Sequence, residues 1–117
     1  MGNVSSSVRA RYENLRSLAF GGISGTYAGV GTSFVYPVRI LKVTNLTDKD
    51  LLISFNGVDD MDVCPANAFY LYDYGSNKAD QGGFFEQAAG NRLYAKQASG
   101  APTSGSVYVT VVYASQV

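Results

Sequence analysis

The chain has 117 residues, and histidine and tryptophan are both missing from it. Without an imidazole there is no ready general base for a serine or cysteine nucleophile and no common nitrogen ligand for zinc. No lysine stands at S-x-x-K spacing from a serine, so that alternative hydroxyl activator is missing too. The expectation is a protein that is not an enzyme and carries no cofactor. The one cysteine, Cys64, cannot close an internal disulfide and reads as a small buried side chain. No apolar run approaches the ~20 residues a membrane helix needs, and the N-terminal stretch lacks the apolar core of a signal peptide. The expected site of synthesis is a reducing cytoplasm, with no membrane partner.

Charge is scarce as well. Only 15% of residues are charged, nine basic against nine acidic, while 46% are hydrophobic. A balanced, weakly charged chain offers no field to gather phosphates, so nucleic acid is not an expected ligand. So little charge also leaves surface that other subunits would cover, and a homo-oligomer is expected. At this length the chain is read as one domain, able to bury a core unaided.

What is present is β-rich and Gly-punctuated. From residue 18 onward the apolar period is that of strands, with some seven short runs separated by turn formers. This predicts an all-β fold, an antiparallel β-sandwich of jelly-roll type with about seven or eight strands, over residues 18–117. Residues 37–46 and 51–56 flank the polar turn Thr47-Asp48-Lys49-Asp50 and read as an antiparallel hairpin. In its first strand Val38, Ile40 and Val43 point inward and Arg39 and Lys42 outward, with a phase change near Leu41 that signals a bulge or burial on both faces. Asn56-Gly57 marks a tight turn. In the last strand Val107, Val109 and Val111 share one face, and Val109 and Val111 are expected in the core with Ile40 and Ile53.

Residues 1–17 stand apart. Val4, Val8, Tyr12 and Leu15 recur at helical spacing, and three arginines (Arg9, Arg11, Arg16) face one glutamate, which leaves the remainder of the chain at net −2. This segment is expected to be a short helix, or an extended arm that orders on docking, and to contact a neighbouring subunit through those seven residues. A second contact surface is read from Tyr70, Tyr72 and Tyr74, which alternate on one strand face and suit a subunit interface or a sugar platform. Asp59, Asp60 and Asp62 beside Asn56 form the densest set of oxygen ligands. Their spacing departs from the EF-hand pattern, and a solvated acidic turn is expected in place of a metal site.

Three stretches carry a family resemblance: "RSLAFGGISGTYAGVG", "PVRILKVTNLTDKDLLISFNGVDD" and "RLYAKQASGAPTSGSVYVTVVYA". Together, across residues 16–114, they resemble small virion structural proteins of tailed bacteriophages. The resemblance implies a β-sandwich assembled in many copies, with other virion proteins as partners and the virion, built in the bacterial cytoplasm, as its location. It implies a neck or tail ring or adaptor that holds other tail proteins or fibres. The alternatives are a decoration protein on the major capsid protein and a carbohydrate-binding module.

Overall fold

A computed structural model describes residues 8–74 and 86–116. Nine strands occur among them: β1 (Val8–Tyr12), β2 (Arg16–Ala19), β3 (Ala28–Gly29), β4 (Val38–Asn45), β5 (Leu51–Ser54), β6 (Asp62–Cys64), β7 (Ala68–Asp73), β8 (Tyr94–Gln97) and β9 (Ser106–Gln116). They form two antiparallel sheets. Sheet A runs β1-β9-β4-β7, with β2 following β1 along the same edge of β9, and sheet B runs β3-β8-β5-β6. Every connection from β2 to β9 passes from one sheet to the other except β5 to β6. The strand order β2-β9-β4-β7 against β3-β8-β5-β6 is that of a jelly roll.

Residues 37–46 and 51–56 therefore do not form a hairpin. β4 pairs with β7 and β9, whereas β5 pairs with β6 and β8, and the polar turn carries the chain across the sandwich. Asn45 makes this corner. Its side chain is fully buried, and its Nδ2 donates to the carbonyls of Lys49 (2.9 Å), Cys64 (2.9 Å) and Pro65 (3.2 Å). Its Oδ1 accepts from the Thr47 amide (3.0 Å) and hydroxyl (2.7 Å). Groups that a hairpin would have paired across two strands are satisfied here by one side chain. Next to it, Gly105 sits at φ 85°, with the Leu46 carbonyl oxygen 2.0 Å from where a Cβ would lie, so only glycine fits the approach of the β8–β9 loop.

Among the described residues the one hairpin of consecutive strands is β5–β6, and the predicted Asn56-Gly57 turn lies within it. Gly57 has φ 77°, and Asn56 Oδ1 accepts from the amides of Val58 (2.8 Å) and Asp59 (2.9 Å). The core lies between the sheets. Val107, Val109 and Val111 of β9 meet Val38, Leu41 and Val43 of β4 and Leu51 and Ile53 of β5, all fully buried. Each such side chain contributes roughly 1.5–3 kcal/mol by leaving water. Ile40 does not join them. The β4–β9 register shifts between Val38 and Ile40, and this bulge turns Leu41 inward and Ile40 to the outer face.

Candidate interaction surface

The N-terminal segment is not a helix over the described residues 8–17. It is strand, and it belongs to sheet A. Val8–Tyr12 pairs with Gln116–Val112, and Arg16–Ala19 with Val109–Ser106. Tyr12 faces Val112 and Arg16 faces Val109, so four steps along this edge match three along β9. The extra residue is a bulge, closed by Glu13 N–H donating to the Val111 carbonyl at 3.1 Å. It reverses the facing of the edge: Tyr12 looks out and Arg16 looks in.

Arg16, expected at an interface, is instead built into the fold. Its Nε donates to the Thr32 carbonyl (2.8 Å), Nη1 to the Asn14 carbonyl (3.2 Å), and Nη2 to the Ser33 carbonyl (2.8 Å) and Glu13 Oε1 (2.6 Å). Glu13 Oε2 in turn accepts from the amides of Val35 (3.1 Å) and Tyr36 (2.9 Å). The pair ties residues 32–36 to the sheet edge. Burial pushes the Glu13 carboxyl up, but the Tyr36 amide, the Arg16 guanidinium and the Val35 amide outweigh it and hold the carboxyl below its usual range. A depressed folded-state pKa stabilises above the ordinary value of 4.5 and loses that contribution as pH falls through the folded value. Glu13→Gln should therefore lower the urea midpoint at neutral pH and flatten its decline below about pH 4.5 relative to wild type.

The rest of the segment is exposed. Arg9, Arg11, Tyr12 and Leu15 all reach solvent, Tyr12 at 69%. Val8 enters only as the first pair of β1, and Val4 lies outside the described residues.

Tyr70, Tyr72 and Tyr74 turn towards the core rather than outward. Val43 pairs with Tyr70 and Leu41 with Tyr72, so the inward phase of β4 fixes theirs. Tyr72 meets Phe55 edge-on at 5.9 Å and stacks on Tyr74 at 6.4 Å, closing the open side of the sandwich. Burial, reinforced by a 2.5 Å hydrogen bond to Asp62, pushes the Tyr72 phenol well up. The acidic turn is dispersed in the same manner. Asp59 accepts from Asn56 (2.8 Å), Asp60 from Tyr27 (2.6 Å) and Lys96 (3.1 Å), and Asp62 from Tyr72. Among the described residues no group of three or more His, Cys, Asp or Glu side chains converges on a point. Cys64 is buried, its thiol 3.6 Å from the Ala68 carbonyl, and burial pushes its pKa up.

The surface that sequence reading missed is the outer face of sheet A. With Leu41 and Val43 pointing in, Ile40, Lys42 and Thr44 point out. Their neighbours in register are Val112, Thr110 and Tyr108 on β9 and Asp73, Leu71 and Phe69 on β7. Tyr12 extends the first row. Phe69 is 62% exposed and Leu71 56%. The alternation of Phe69 and Leu71 between the tyrosines was the available signal, but alternation does not say which face is inside. Lys42 Nζ lies 5.9 Å from the centre of the Phe69 ring. A broad face with three large exposed apolar side chains and almost no charge is suited to protein contact.

No family model, curated protein or solved structure matches the chain. Among the described residues no helix is long and apolar enough to cross a membrane.

Proposed function

We propose that this protein is a structural subunit of a tailed-bacteriophage virion, present in multiple copies in the neck or tail and holding other tail proteins or fibres. The observation that carries the reading is the apolar, nearly uncharged outer face of sheet A, which a protein working alone would expose to water at a cost in solubility. The sequence resemblance to small virion proteins supports it independently, and jelly rolls serve as building blocks in viral capsids, though a fold by itself assigns no function. Partners are copies of itself and neighbouring virion proteins. Capsid decoration is the alternative position in the particle.

The test is incorporation. Deleting residues 1–12 removes β1 and Tyr12 from the face but leaves the Glu13–Arg16 pair and every core side chain described above. The truncated protein should fold with a melting temperature within a few degrees of wild type. Its copy number in purified particles, measured by quantitative mass spectrometry, should fall severalfold, because part of the contact area is gone. Full incorporation would refute the role of this face. Wild-type copies in the dozens per particle fit the neck or tail, and copies in the hundreds would move the protein to the capsid surface.

A further inference from the structure

We infer that Asn56 is a deamidation site that the folded β5–β6 turn holds silent, converted only when that turn opens. Asn56 is the one asparagine of the chain followed by glycine, and it is exposed. The chemistry needs only water. The Gly57 backbone nitrogen attacks Cγ of Asn56, an N–Cγ bond forms, the Cγ–Nδ2 bond breaks, and Nδ2 leaves as ammonia with the Gly57 amide proton. Water then opens the five-membered imide at either carbonyl and leaves aspartate or isoaspartate, so one water is consumed and one ammonia released. Glycine favours the ring closure, because it has no Cβ to obstruct the attack and leaves the backbone free to turn.

In the folded chain both reacting groups are already engaged. Asn56 Oδ1 accepts from the Ser54 hydroxyl (2.9 Å) and from the amides of Val58 (2.8 Å) and Asp59 (2.9 Å), while Nδ2 donates to Asp59 Oδ2 at 2.8 Å. The side-chain amide is held at both ends. The Gly57 N–H, whose proton has to leave for the nitrogen to attack, donates to Ser54 Oγ at 2.9 Å. Ser54 is fully buried and gives its own proton to Asn56 Oδ1, so its position tethers the two groups. Cγ cannot swing over the Gly57 nitrogen without breaking these bonds, and Gly57 is fixed at φ 77° with the Tyr94 ring beside it. Conversion therefore waits on local opening, and its native rate is the open-chain rate multiplied by the fraction of time the turn is open.

A converted turn does not close again in the same form. Aspartate at position 56 puts a carboxylate oxygen where Nδ2 now meets Asp59, and two like charges then stand in contact. Isoaspartate lengthens the main chain by a methylene within the turn itself. Conversion is thus one-way, a lasting mark that the hairpin has opened.

The test uses the purified full chain and is independent of the virion reading. Mass spectrometry of the peptide that spans residue 56, after incubation in mildly alkaline buffer, should show conversion slower in the native protein than in urea by roughly tenfold or more. Asp59→Ala frees Nδ2 at an exposed position, so it should leave the melting temperature unchanged and speed native conversion severalfold. Ser54→Ala releases Oδ1 and the Gly57 amide together and should speed it further. A native chain that converts at the denatured rate overturns the inference, as does a folded Asp59→Ala protein no faster than wild type. Asn56→Asp, which copies one product, should melt below wild type, and an unchanged melt would overturn the one-way step.

Discussion

Val111→Asp is expected to leave no folded protein. Val111 is fully buried in the middle of β9, opposite Leu41 of β4, and its carbonyl receives the bulge amide of Glu13. A carboxylate there has lost its water and gains no charged partner from the cross-strand position, a cost of several kcal/mol against a total stability of about 5–15 kcal/mol. Val109 is the less decisive position, because Arg16 lies directly across from it on β2 and could meet a new carboxylate. Far-ultraviolet circular dichroism and the soluble yield of the two variants test this together. A soluble Val111→Asp protein with a wild-type melting curve would show that the inner face of β9 has been misassigned.

The second large effect is expected at the corner that sends β5 to the other sheet. Asn45→Leu keeps the branched side-chain shape but takes from the Cys64 carbonyl and the Thr47 amide the hydrogen bonds that Asn45 now supplies, while the carbonyls of Lys49 and Pro65 lose one donor each and keep the Thr47 hydroxyl and the Ala68 amide. At about 1–3 kcal/mol for each buried group left unmade, and with water able to reach the outer ones, the loss should be about 3–4 kcal/mol. That corresponds to a fall in melting temperature of roughly 10–15 °C. Asn45→Asp is the informative comparison. It retains an acceptor for Thr47 but places a carboxylate against three carbonyl oxygens, so it should be at least as destabilising as leucine. A thermal melt of Asn45→Leu unchanged within experimental error would mean that the corner is held by the strands alone.

The two residues illustrate different kinds of legibility. Val111 could be placed from sequence because Val107, Val109 and Val111 alternate with tyrosine and threonine over a long β-prone run, and a strand has only two faces. Asn45 could not, because Thr47-Asp48-Lys49-Asp50 is good turn chemistry whether the chain reverses within a sheet or crosses to the next one. Only the buried side chain of Asn45 distinguishes the two, and its partners at Cys64 and Pro65 are distant in sequence. The candidate surface behaves similarly. Tyr70, Tyr72 and Tyr74 were legible as one face of a strand, and Phe69 and Leu71 as the other, but the choice between inside and outside is made by β4.

Sequence by itself determined that this is an all-β chain with an antiparallel sandwich core, with one tight turn at Asn56-Gly57 and a valine face on its last strand. These are local properties: side-chain period, turn residues and the near absence of helix formers in register decide them without reference to distant residues. Tertiary structure alone decided the rest. Pairing with β9 overrode the helical spacing of Val8, Tyr12 and Leu15, because a strand edge supplied hydrogen bonds that a short serine-flanked helix would have had to make unaided. One bulge turned Arg16 inward and another exchanged Ile40 for Leu41. A single inserted residue reverses every later side chain on a strand, so which residues became core and which became surface was fixed only when the two sheets met.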